Sequence, residues 1–235
     1  MRLLLDDQLA PITSEYGFVE AEASLVADWF RAWEQRTQAE RGIEMLATEA
    51  SGSLTDLLLG LLPLTSMEPR RFLFIQTHSS WTAYFDNWWL GSDAGCLDYV
   101  ASQLRCRAVR VVQAPDTSRS STSTRNFGAT ILELYGPNPT AFLNHERSLA
   151  VANDGGRWVF TQAGTPLPFE QLDAYLNRRV RDRFTPELLQ SYLRALGIDA
   201  FEEGFFGPHG ILLERKGPYA TGYQEYSLEE ARSFD

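Results

Sequence analysis

The segment from Arg71 to Val112 constrains the fold of this chain more than any other, because it encodes strand, reversal, strand, helix and strand in one short span. Phe72, Leu73, Phe74 and Ile75 form a continuous apolar run, which suits a strand covered on both faces. After the polar break His78-Ser79-Ser80, the aromatic run from Trp81 to Trp89 is expected to return antiparallel beside the first strand. Gly91 ends that strand, and Ser92 or Asp93 can cap a helix by accepting a hydrogen bond from an otherwise unpaired backbone N–H. Leu97, Val100, Ala101 and Leu104 then recur at helical spacing, and β-branched Val109, Val111 and Val112 form the next strand.

The flanks add helices and more strands. Residues 1–20 show little periodicity. From Ala21 to about Arg41 a helix is expected, with Leu25, Val26, Trp29, Phe30 and Trp33 on one face and Gly42 as its stop. Ser53 can cap a second, nearly all-apolar helix that Pro63 ends. The polar segment from Gln113 to Asn126 reads as a loop; Arg119 and Arg125 bracket its hydroxyl residues, but it lacks the glycines that let backbone amides wrap a phosphate. Phe127 to Tyr135 reads as a strand, Gly136-Pro137-Asn138-Pro139 as a turn, and Ser148 to Ala163 as a hairpin closed by Asn153-Asp154-Gly155-Gly156. Leu172, Tyr175, Leu176 and Val180 predict a helix over 169–183. Thr185 and Pro186 open another that Gly197 follows, and Ile211 to Glu214 make a last short strand. The fold class expected is α+β, a mostly antiparallel mixed sheet of about five to seven strands flanked by four or five helices. One domain should span residues 1–235, with a helical layer over 1–70, the sheet over 71–215 and a loosely held tail over 216–235.

The net charge of −10 disfavours nucleic acid and anionic membrane as partners. No apolar run approaches a membrane span and MRLLLDDQLAP is too acidic for a signal peptide, so a cytoplasmic protein is expected. Cys96 and Cys106 then read as reduced, buried thiols.

Catalytic signatures are absent: there is no dinucleotide fingerprint, phosphate loop, nucleophile elbow, CxxC pair or HExxH helix, and no cofactor is implied. The three histidines, His78, His145 and His209, have no metal-ligand spacing, so no metal is expected. The tightest polar group is Asp86, Asn87, Asp93 and Asp98, with His78 and Ser80 at the facing turn. His78, Ser80 and Asp86 are therefore the weak catalytic candidates, although strand ends and helix caps require the same residue types. The aromatics of Trp81 to Trp89 are too many for one face of one strand, which makes Trp81, Tyr84, Trp88 and Trp89 candidates for a contact surface.

A protein-binding module is the first functional expectation, on the analogy of small acidic immunity-type inhibitors that neutralise a basic partner protein. A hydrolase-like enzyme built on His78, Ser80 and Asp86, or a ligand-binding protein with an aromatic pocket beside Trp88, are the alternatives.

Overall fold

The computed structural model describes residues 3–116, 127–219 and 221–234. In chain order the elements are β1 (Glu15–Val19), α1 (Ala23–Thr37), β2 (Glu44–Ser51), α2 (Leu54–Leu59), β3 (Leu64–Thr65), β4 (Arg71–Thr77) and β5 (Thr82–Asp86). They continue with α3 (Leu97–Leu104), β6 (Ala108–Ala114), β7 (Ala129–Tyr135), β8 (His145–Asp154), β9 (Arg157–Gly164), α4 (Pro186–Ala195), β10 (Phe206–Lys216), β11 (Glu225–Tyr226) and α5 (Leu228–Phe234). Among the described residues nine strands make one antiparallel sheet, in the order β2-β10-β4-β5-β1-β6-β7-β8-β9, and β3 pairs separately with β11. The class is α+β, but the sheet is larger than the five to seven strands expected.

The apolar run of β4 is covered on both faces, and the period-2 alternation of a strand divides it between two cores. Phe72 and Phe74 point toward α1 and α3, where they join Val26, Phe30, Tyr84, Leu97 and Val100. Leu73 and Ile75 point the other way, into a layer with Leu57 and Leu58 of α2 and Leu189, Tyr192 and Leu193 of α4. Several local signals around these elements hold, although β5 stops at Asp86, short of the expected Trp89, and α2 at Leu59, short of Pro63. β5 returns antiparallel to β4 with Phe74 opposite Tyr84. The Ser53 side chain accepts from the Asp56 N–H in a full capping box, and Thr185 accepts from the Leu188 N–H with Pro186 in the first turn.

Five expectations need correction. Residues 1–70 are more than a helical layer, because β1 lies between β5 and β6 and β2 forms an edge of the sheet. The short last strand is instead the eleven-residue β10, inserted between β2 and β4. No continuous helix runs over 169–183; two short 3-10 turns, Leu172–Leu176 and Val180–Asp182, stand in its place. The tail is also tied down. Ala231 of α5 is fully buried, and the Arg232 guanidinium donates to the carbonyls of Gln8 and Ala10. The polar loop expected over 113–126 is β6 as far as Ala114, and from Thr117 to Asn126 it lies outside the described residues.

Candidate binding surface

The catalytic candidates do not meet. Asp86 lies opposite Phe72, at the far end of β4 from His78, so about 20 Å separates them at ~3.3 Å per strand residue. His78 and Ser80 are exposed, whereas Asp86 is fully buried. Asp86 is held by a salt bridge from Arg70, a Tyr84 hydroxyl at 3.1 Å, and the N–H groups of Trp88 at 2.8 Å and Asp93 at 3.1 Å. Burial opposes the charge on Arg70, but Asp86, Tyr84 and Asp93 outweigh it and hold the guanidinium pKa above its ordinary value. Burial and then Asp86 push the Tyr84 hydroxyl well up. Asn87 donates to the carbonyls of Pro63 and Pro69 and accepts from the Arg71 N–H. Asp93 caps the turn before α3. Asp86, Asn87 and Asp93 each already have a structural task.

Trp81 and Tyr84 are each 1% exposed, so neither is available for a surface contact. The Trp81 indole N–H donates to the Leu196 carbonyl at 3.0 Å, tying β5 to α4. Trp88 and Trp89 are half-buried; Arg70 lies over Trp88 at 5.1 Å, and Trp89 stacks on Tyr226 at 5.2 Å. A cavity of 190 Å³ on the α1 side is lined by Phe30, Trp33, Phe72 and Tyr84 together with Arg70 and Arg215. Elsewhere, Ser51 and His209 face each other across β2 and β10, 3.0 Å apart at Nδ1, in an exposed position.

A different surface stands out, on β7, β8 and β9. On the sheet face toward α1 and α3, the main contacts of α1 are with β2, β10, β4 and β5, and those of α3 with β1, β6 and β7. Beyond β7 no described element covers that face. The strands keep their alternation there: Leu132, Leu149 and Val151 are buried on the covered side, while Ile131, Ser148, Ala150 and Ala152 are half-buried and Val159, Thr161 and Ala163 exposed on the other. These small and β-branched side chains make a flat, mostly uncharged floor.

The loop from β7 to β8 raises two large apolar side chains beside this floor. Phe142 is 66% exposed and Leu143 is 58% exposed. The loop is firmly tied. Asn144 donates to the carbonyls of Gly136 at 2.7 Å and Asp98 at 2.8 Å, the Thr140 N–H donates to the Leu143 carbonyl at 2.8 Å, and the Thr140 hydroxyl donates to the Phe142 carbonyl at 3.0 Å. Leu143 holds a left-handed backbone with φ 51°, a conformation unfavourable for a side chain of its size and maintained by the bonds around it. A cavity of 760 Å³ opens next to Phe142, bounded by His145, Glu146, Ala163 and Leu167. The sequence signal was present as an apolar Phe-Leu pair inside a Pro- and Asn-rich turn, but its exposure depends on tertiary contacts with α3.

No family model, curated protein or solved structure matches this chain. Among the described residues no group of three or more His, Cys, Asp or Glu side chains is placed to hold a metal ion, and no helix is long and apolar enough to cross a membrane.

Proposed function

We propose that the chain is a protein-binding module, acting as an inhibitor-type partner of a basic protein, and that it makes contact through Phe142, Leu143 and the open face of β7–β9. The observation that carries this reading is the β7–β8 loop, whose hydrogen bonds and left-handed Leu143 present two large apolar side chains to solvent beside a sheet face that no described element covers. Aromatic anchors surrounded by near-neutral contacts are the usual energetic centre of an interface. The net charge of −10 would steer a basic partner toward it.

A second location is favoured by Trp88 and Trp89, which are half-buried and are followed by Leu90 at 49% exposure. Their rings are already engaged by Arg70 and Tyr226, which leaves less free aromatic surface than Phe142 offers. The hydrolase reading loses support from the separation of His78 and Ser80 from Asp86.

The test is capture of a partner from the native cytosol by the immobilised protein at low and high salt, repeated with Phe142→Asp, Val159→Asp and Trp88→Ala. The expected outcome is salt-sensitive capture that the first two substitutions abolish and the third leaves intact. Loss with Trp88→Ala alone moves the contact to the β5 end. Capture indifferent to all three and to salt overturns the reading.

A further inference from the structure

The open surface ends in the 760 Å³ cavity beside Phe142, a size typical of small-group recognition sites. We infer that this cavity receives an arginine side chain of the partner, with Glu146 as its counter-ion; the inference rests on the binding surface proposed above and names what that surface recognises.

Two carboxylates line the cavity, and they differ in what they already hold. Glu133 accepts from Arg110 at 2.8 Å and from the Tyr135 hydroxyl at 2.8 Å, so it is committed within the sheet. Glu146 has no side-chain hydrogen bond or salt bridge among the described residues. The basic group that interacts with it electrostatically, Arg107, is clamped at two points by Glu20, both at 2.7 Å. Glu146 is partly exposed and lines the cavity, so its carboxylate is open to an incoming cation.

The carboxylate also packs closely on the backbone opposite. A Cβ at position 136 would come within 1.9 Å of Glu146 Oε1, so only glycine leaves room for the carboxylate where it stands. Gly136 does not have a positive φ, so space rather than backbone freedom accounts for it.

The walls select among cations. The rings of Phe142 and His145 stand 5.0 Å apart at one side, and Ala163, Pro166 and Leu167 supply apolar surface at the other. A guanidinium meets a carboxylate through two parallel N–H donors, stacks its plane on an aromatic ring, and brings a three-methylene stem that apolar walls can cover. A lysine ammonium satisfies the charge but not the stacking. A neutral side chain leaves Glu146 unpaired.

The experiment is an NMR titration of the whole chain with N-acetyl-arginine N-methylamide and with its citrulline counterpart, which has the same shape without the charge. The expected result is saturable shifts at Gly136, Glu146, Ala163 and Gly164, at least tenfold tighter binding of the arginine compound, and loss of that preference in Glu146→Gln but not in Glu44→Gln, which removes an exposed carboxylate at the opposite edge of the sheet. Equal binding of the two compounds, no saturable shift, shifts located elsewhere, or an unchanged preference in Glu146→Gln overturns the inference. The arginine–citrulline comparison on the unsubstituted chain keeps the test decisive even if Glu146→Gln fails to fold. Because the probe is a small molecule, failure here leaves the partner-capture result standing, and failure of partner capture leaves this one standing.

Discussion

Arg147 of β8 and Glu170 form a two-pronged ion pair in the interior, with Nε 2.8 Å from Oε1 and Nη2 2.7 Å from Oε2, at side-chain exposures of 1% and 0%. The remaining guanidinium donors reach Gln162 Oε1 and the carbonyls of Ala163 and Gly164, while the Leu167 N–H and the Tyr175 hydroxyl donate to Glu170. This satisfied network fixes the irregular segment after β9 to the sheet. Arg147→Met alone should cost about 3–5 kcal/mol, because it leaves a buried carboxylate without its cation. Glu170→Gln should be similarly costly, and the double substitution should cost clearly less than the sum of the two. Urea denaturation of the four proteins reads this coupling; strict additivity would show that the pair does not act as a unit.

Both thiols are free and half-buried rather than buried as expected, and they should still be slow to alkylate. Burial pushes Cys96 far above the ordinary thiol range, and burial with nearby Glu20 pushes Cys106 up to about 11 from 9.0. At pH 8 the Cys106 thiolate is then on the order of a hundredfold scarcer than in the unfolded chain. Iodoacetamide labelling of the native protein should lag the urea-unfolded protein by at least that factor, and the native rate should climb toward pH 11. Equal native and unfolded rates at pH 8 would contradict the burial.

Thr185→Ala should destabilise the chain by about 1 kcal/mol, since it removes the acceptor for the Leu188 N–H at the start of α4. Thr185→Ser should recover most of the loss. Thermal melts of the three proteins suffice to check it.

Acid should weaken the fold through Glu214. Burial raises its pKa, but Lys216 and Arg71 outweigh burial and the net shift is downward from 4.5. A carboxyl whose folded pKa lies below its unfolded value contributes stability above the unfolded pKa and loses it as pH falls through the folded one. Asp7 acts in the opposite sense, because burial raises its pKa against the pull of Arg232, so protonation favours its folded state. Between about pH 5 and 3, Glu214→Gln should flatten the loss of stability and Asp7→Asn should steepen it. Denaturant midpoints across that range decide the signs.

A chain beginning at Arg71 should fail to fold, because it lacks β1 from between β5 and β6 and the α1 layer over Phe72 and Phe74. Circular dichroism and size-exclusion chromatography would show an aggregated or unfolded species. A soluble, folded fragment would establish a separate N-terminal unit.

Legibility in the sequence followed from how local each signal was. The run from Phe72 to Val112 could be read because strand, cap and helix periodicity agree there. β1 was hidden by its shortness and by Gly17, which sits in mid-strand because a Cβ would come 2.0 Å from Leu97 of α3. β2 is an exposed edge with one buried residue, Met45, so it shows no alternation to detect. The segment after Phe169 has helical spacing, yet Leu176 is 80% exposed and the chain there is fixed by the Glu170 and Tyr175 bonds instead. For the site, residue types at β5 suggested chemistry that burial and register then spent on structure. The apolar pair Phe142-Leu143 gained meaning only from the loop that displays it.

The placement of β10 between β2 and β4 has a consequence for biosynthesis. β2 and β4 leave the ribosome well before the strand that joins them, so that flank of the sheet waits on long-range closure, the slow kind of contact. The β6-β7-β8-β9 meander needs only neighbours in the chain, and a two-residue turn closes its last hairpin. The strand contacts under Phe142 can therefore form while the nascent polypeptide is still unfinished, and their apolar surface can need a chaperone's cover before the other half of the molecule has formed.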